Sequence, residues 1–223
     1  MSTVLFVVSA ARTWTLSDGT AHPTGFWAEE LLTPYRLLSE AGHDVVFATP
    51  GGIAPVADEA SFGDDGDAER AALDSIPGLR SPLDTREVDL TSYDAVFYPG
   101  GHAPMEDLSH DATSGALIAE ALDTQKPIAL VCHGLAALLA ARRADGTSAA
   151  AGRRVTAFTD EEETQGGLAP RARWLLESTL REHGIVVEAA EPWADHVVTD
   201  GSLVTGQNPQ SSASVAKELL ALL

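Results

Sequence analysis

Cysteine is almost missing from this chain: among 223 residues there is one, Cys132. A lone cysteine excludes an intramolecular disulfide framework. Lysine is scarce too, with only Lys126 and Lys217, and acids outnumber bases 33 to 14 for a formal charge of −19. A surface of that sign repels nucleic-acid phosphates and anionic lipid, so neither is an expected partner. It favours solubility without identifying a substrate. No hydrophobic run approaches membrane-spanning length, and no secretory signal is visible. The opening run Val4 to Ala10 is too short for a signal core and reads as a buried strand. The expected compartment is therefore a reducing cytoplasm. Internal repeats and low-complexity linkers are also lacking.

What is present is ordinary for a globular protein: 44% hydrophobic residues, 21% charged, and four tryptophans. Short apolar runs recur at Val4–Val8, Asp44–Ala48, Ala95–Tyr98 and Pro127–Val131, each fenced by Gly, Pro or Asp. Continuous apolar runs of strand length imply strands covered on both faces. Helical patterns lie between them, at Leu31 to Glu40 and Ala116 to Leu122. The alternation predicts an α/β, doubly wound, mostly parallel sheet with helices on both faces. In such a sheet the functional loops lie at the carboxyl ends of the strands.

Residues 50–90 interrupt the rhythm and read as an excursion holding a short helix around Ala68 to Leu73, with no clear strand. The acidic run from Gly63 to Asp67 within it reads as a solvated face. We treat residues 1–223 as one domain. Shorter strands are expected at Ile185–Val187, His196–Val198 and Leu203–Val204, with a closing helix from Ser212 to Leu222.

The window Ile128-Ala129-Leu130-Val131-Cys132-His133-Gly134-Leu135-Ala136 carries the most chemistry. A buried strand ends in Cys, and a small-residue helix is expected to start at once: the setting of a nucleophile elbow with Cys in place of Ser. A helix N-terminus there would favour the thiolate and supply N–H groups to an oxyanion. An isolated cysteine is commonly an inert buried thiol, but the Val-Cys-His-Gly turn at a strand's end argues against that here. Tyr98-Pro99-Gly100-Gly101-His102 opens at the same sheet edge, where Gly100 and Gly101 permit close backbone approach and the Gly101 N–H is a second candidate oxyanion donor. His102 reads as a group lining the pocket or standing behind its reactive residues.

Two acidic stretches complete the set. Glu30 sits ahead of Pro34, either beside a helix kink or before a fresh helix capped by Thr33. An ionised Glu30 beside Cys132 would hinder thiolate formation, so the pair works only if Glu30 is protonated and the two titrate as a unit. Beyond Val155–Phe158, the acids Asp160, Glu161, Glu162 and Glu163 follow a strand; one of them could orient His133, and spacing does not choose among them.

Glu30 with Pro34, Gly42-His43-Asp44-Val45, Tyr98-Pro99-Gly100-Gly101-His102, Val131-Cys132-His133-Gly134, Phe158-Thr159-Asp160-Glu161-Glu162-Glu163 and Leu203-Val204-Thr205-Gly206-Gln207-Asn208-Pro209 occur in the order of a known family. The chain resembles the PfpI-type, glutamine-amidotransferase-like superfamily, most closely its branch of glutathione-independent glyoxalases (glyoxalase III), from Val4 to Leu222. The resemblance implies a flavodoxin-like fold and a homodimer. It implies Cys132 as nucleophile, His133 as its histidine, Glu30 as protonated acid and Glu163, ahead of Glu162, as the histidine's acid. It places Gly101 and His133 N–H groups at the oxyanion. The loop Ala11 to Thr24, with Arg12, Trp14 and His22, is expected to shape the entrance.

The activity so implied converts 2-oxoaldehydes such as methylglyoxal to 2-hydroxy acids through a Cys132 hemithioacetal, with repair of early glycation adducts as a related outcome. It calls for no cofactor and no metal, and no metal-ligand spacing stands out. Two rivals stand beside it: a cysteine amidase or peptidase, which would use the same Cys, His and oxyanion donors, and a non-enzymatic holdase or redox sensor with an oxidisable Cys132 and an apolar dimer groove. Ammonia transfer is disfavoured because neither His183 nor His196 has the His-x-Glu partner.

Overall fold

A computed structural model describes residues 1–63 and 66–223. Asp64 and Asp65, in the acidic run expected to form a solvated face, lie outside the described residues. In chain order the elements are β1 (Thr3–Val7), β2 (Thr13–Thr15), β3 (Ala21–Pro23), α1 (Ala28–Glu40), β4 (Asp44–Thr49), α2 (Asp67–Asp74), α3 (Pro77–Arg80), β5 (Leu83–Asp84) and β6 (Ala95–Tyr98). There follow α4 (Ala103–Glu106), α5 (Ala112–Asp123), β7 (Ile128–Val131), β8 (Arg154–Val155), α6 (Asp160–Gln165), α7 (Leu176–Glu182), β9 (Val186–Val187), β10 (Val197–Asp200), β11 (Leu203–Gly206) and α8 (Ser212–Ala221).

Seven strands form one sheet in the order β10-β11-β7-β6-β1-β4-β5. All its pairings are parallel except β10 with β11, which are antiparallel. Every residue of β6, β7 and β11 is buried, as unbroken apolar runs demand when both faces are covered. Phe6 and Phe97 stack across neighbouring strands with centroids 4.7 Å apart. Helices α1 and α8 pack against each other, and α5 packs against β7. The fold is flavodoxin-like α/β, with a mostly parallel sheet flanked by helices.

The chain runs outward from β1 through β4 to β5, then returns to β6 on β1's other side. Strand order therefore reverses between β1 and β6. Ligands of open α/β sheets bind at the carboxyl ends beside such a switch point.

Several elements differ from the sequence expectation. Helix α1 runs through Pro34, which is buried within it, so the fresh helix capped by Thr33 does not form and Glu30 lies inside the helix one turn before the proline. Segment 11–24 is a hairpin, β2 with β3, not an irregular loop. The stretch expected to lack a strand holds the two-residue β5 at the sheet's edge. The residues after Cys132 wind as 3-10 turns from Cys132 to Ala140, so the α-helix N-terminus expected there does not form.

Candidate active site

Three loops at the switch point bring the expected residues together. Glu30 lies in the first turn of α1, Gly100 and Gly101 follow β6, and Cys132 follows β7. Cys132 has φ 56°, a left-handed conformation that costs a non-glycine residue roughly 1–2 kcal/mol. The bend turns the side chain out of the strand line and into the space facing Gly101 and His133. Gly101 has φ 87°, and a Cβ there would lie 2.4 Å from Gly25 O. Only glycine combines that backbone with so close a contact.

Cys132 Sγ lies 3.3 Å from His133 Nδ1. His133 Nε2 lies 2.7 Å from Glu163 Oε2, and His102 Nε2 lies 3.0 Å from Glu163 Oε1. One carboxylate thus serves two histidines. Burial pushes Glu163 up, but hydrogen bonds from His102 and His133 and their charge reverse this and leave it well below the usual carboxylate range. Burial, with His102 nearby, holds His133 below its ordinary value. An ionised Glu163 only accepts hydrogen bonds, so the proton of neutral His133 belongs on Nε2. That leaves a bare Nδ1 facing the sulfur.

Glu30 is fully buried. Its Oε2 accepts the Gly100 N–H at 2.7 Å, while Oε1 has no nitrogen or oxygen partner. Burial raises its pKa from 4.5 to about 8, partly offset by the Cys132 thiol and the Gly100 N–H. Burial also pushes the Cys132 thiol up, Glu30 adds to this, and the N–H groups of His133 and Gly101 pull it down. Two buried acids in contact do not both ionise at neutral pH; they behave as one unit. The expectation that a helix dipole makes the sulfur anionic therefore needs correction. Two amides and a proton on Glu30 are what favour the thiolate here.

The acid Glu163 is placed by α6. Thr159 caps that helix in a reciprocal box with Glu162: the Glu162 N–H donates to Thr159 Oγ1 at 3.1 Å, and the Thr159 N–H donates to Glu162 Oε2 at 2.8 Å. Glu162 does not contact His133. Its Oε1 instead accepts from the Trp193 N–H at 2.8 Å, Gln207 Nε2 at 3.1 Å and Asn208 Nδ2 at 2.8 Å. It ties the Gln207-Asn208-Pro209 loop to α6.

Hairpin β2–β3 closes one side. Trp14 stacks on His102 with centroids 4.8 Å apart. Acids in and after α4 grip the approach to the hairpin: Glu106 Oε2 accepts the Thr15 N–H at 2.8 Å, and Asp107 accepts the Ala10 and Ala11 N–H groups at 2.8 and 3.1 Å. His22 lines the pocket, whereas Arg12 is exposed and does not. The cavity is about 190 Å³ and is lined by Cys132, His133, His102, Gly101 and Glu163 together with Trp27, Phe158, Leu168, Trp193 and Pro209. Sequence reasoning gave no sign of Trp193 or of the His102–Glu163 contact; the positive φ of Trp193, 64°, leaves no trace in residue pattern.

Ligand atoms of His102, His133 and Glu163 lie within 4.8 Å of one another. A divalent cation entering there would have to displace the hydrogen bonds that orient His133. Among the described residues, no helix is long and apolar enough to cross a membrane.

The DJ-1/PfpI family profile matches residues 22–222. A glutathione-independent glyoxalase, hsp3101, of Schizosaccharomyces pombe is 30% identical over 208 residues, covering 87% of this chain and 85% of its own. The protein/nucleic acid deglycase HchA of Staphylococcus aureus is 29% identical over 230 residues, covering 96% of this chain and 77% of its own. Among solved structures, the Rapid Encystment Protein 24 kDa of Francisella tularensis is 26% identical with a TM-score of 0.89, covering 100% of both chains.

Proposed function

The chain belongs to the DJ-1/PfpI family, and from that premise we propose that it is a glutathione-independent glyoxalase acting on 2-oxoaldehydes. The observation that carries this reading is the buried Glu30 carboxyl, raised to about 8, beside the Cys132 thiol. A plain thiol hydrolase has no need of a neutral acid next to its nucleophile. A glyoxalase must move a proton between adjacent carbons, and such an acid serves that step.

The Cys132 sulfur attacks the aldehyde carbon and forms the S–C bond, while the Gly101 and His133 N–H groups steady the oxyanion until Glu30 protonates it. The Glu30 carboxylate, or His133 Nδ1, then takes the proton on that carbon, giving an enediolate. Returning that proton to the neighbouring carbon, while the hydroxyl proton passes from the first oxygen to the second, leaves the thioester of the 2-hydroxy acid. One carbon is oxidised and its neighbour reduced, so the step needs no outside electron carrier. Water cleaves the C–S bond, releasing the 2-hydroxy acid and restoring the thiol. The relative named as a deglycase supports a related use of the same steps on hemithioacetal adducts. Family resemblance supports a homodimer, which sedimentation would check.

The test is lactate formation from methylglyoxal without glutathione. Cys132→Ala and Glu30→Gln are each expected to abolish it. Lactate from the Cys132→Ala variant would reject the mechanism; none from the wild type would reject the glyoxalase reading.

A further inference from the structure

Cys132, His133, His102, Gly101 and Glu163 make up part of the cavity's lining, and methylglyoxal offers the remainder only a methyl group. Beside His133 that remainder is aromatic. Phe158 packs against His133 with centroids 4.5 Å apart, and Trp193 meets Phe158 edge-on at 5.5 Å and 74°. Trp27, Leu168 and Pro209 continue the lining.

Trp193 is held there against its own backbone preference. A bulky residue at φ 64° is an outlier, and surroundings must overdetermine it. They do. Its N–H donates to buried Glu162 Oε1 at 2.8 Å, and its indole Nε1–H donates to Gln165 Oε1 at 2.6 Å. Yet the residue remains 39% exposed. Two hydrogen bonds and a strained backbone thus present an indole to the pocket while leaving much of it uncovered. Packing alone would bury the ring.

The charge around the cavity narrows the occupant further. Its lining includes Asp58 and Glu163 and neither Lys nor Arg. An anionic group on the substrate would meet no lysine or arginine there, only histidines of which His102 and His133 already face Glu163, within a chain of net charge −19. An aromatic or bulky apolar group fits the wall; a carboxylate or phosphate does not.

We infer that Trp193, with Phe158, is a specificity-determining residue that selects uncharged 2-oxoaldehydes bearing an aromatic or similarly bulky apolar group over methylglyoxal. This rests on the glyoxalase reading for its chemistry but not for its binding preference. The reaction is the same internal transfer, so an arylglyoxal and water yield the aryl 2-hydroxy acid.

Two measurements separate the claims. In the Cys132→Ala protein, which cannot react, calorimetry compares 2-hydroxyacetophenone with hydroxyacetone, neutral ketones differing in phenyl against methyl. The aryl ketone is expected to bind at least about tenfold more tightly, and Trp193→Ala to remove most of that difference. In the enzyme with its cysteine, kcat/KM for phenylglyoxal relative to methylglyoxal is expected to fall at least about tenfold in Trp193→Ala and to be largely retained in Trp193→Phe. Trp193→Gly, which relieves the left-handed backbone, is expected to melt above Trp193→Ala and guards against misfolding as the explanation. Equal binding of the two ketones, or an unchanged ratio in Trp193→Ala, would overturn the inference. An aryl binding preference without turnover of either aldehyde would uphold Trp193's role in binding while rejecting the glyoxalase reading.

Discussion

Glu30→Gln turns the buried acid into a stability measurement. Folding raises the Glu30 pKa from 4.5 to about 8, chiefly because burial penalises the charged form. For a group raised in this way, the stabilisation is complete below the unfolded value of 4.5 and is lost as pH climbs through 8. At 1.36 kcal/mol per unit the loss approaches ~5 kcal/mol above pH 8 and is about 3 kcal/mol at pH 7. Glutamine keeps an acceptor for the Gly100 N–H and never ionises. The variant is therefore expected to gain on the parent with rising pH: almost level near pH 4.5, then ahead by about 3 kcal/mol at pH 7, or roughly 6–12 °C in Tm for a chain of this size. Paired urea titrations across pH 4.5 to 9 read the difference directly, and effects shared by both proteins cancel. Repeating the pair in a Cys132→Ala background removes the thiol that shares the proton and isolates the carboxyl. A constant offset at all pH values would refute the buried, raised acid on which the proton-transfer step depends.

Neighbouring acids differ in what they serve: Glu163→Gln is expected to lower kcat/KM by roughly 10²–10⁴, since Glu163 orients His133, and to lose stability at neutral pH as well, since the ionised carboxylate is held by His102 and His133. Glu162→Gln likewise places an amide donor where only donors converge and is expected to lose about 2–3 kcal/mol of stability in urea, but with a much smaller effect on kcat/KM, since its partners are Trp193, Gln207 and Asn208. Gly100→Ala would set a Cβ 2.7 Å from Glu30 Oε2 and 2.8 Å from His133 N; activity is expected to collapse, and full turnover would show that this loop is not close-packed in solution. Asp107→Ala strips the acceptor from the Ser9 hydroxyl and the Ala10 and Ala11 N–H groups and should cost about 2–3 kcal/mol, seen as faster proteolysis near the hairpin.

The parallel sheet was legible because each central strand is an unbroken apolar run, and the elbow because Cys132 ends one of them. Residues held by a strand end can be placed from sequence, since the sheet fixes where that end lies. Contacts made across the pocket cannot. His102 and Glu163 are far apart in the chain, and their pairing depends on how α6 is docked. Spacing did not separate Glu162 from Glu163; the Thr159 cap sets the first turn so that one acid points back toward the Asn208 loop and its neighbour toward the histidines. Pro34 reads equally well as a helix interior with a kink or as a helix start because proline suits both, and the structure places it inside α1, which excludes the fresh start. Trp193 escaped notice because its unusual backbone is imposed by partners distant in sequence.

The stacking of Trp14 on His102 has a mechanical consequence. Hairpin β2–β3 touches that histidine through one ring, and its own strand and approach are held by the carboxylates of Glu106 and Asp107, a few residues past the same histidine. Ring and anchors sit on one short stretch of chain, so a shift of the hairpin carries the imidazole with it. Transplanting a longer or shorter hairpin from a relative would alter proton placement at Glu163 unless residues 102–107 travelled with the graft.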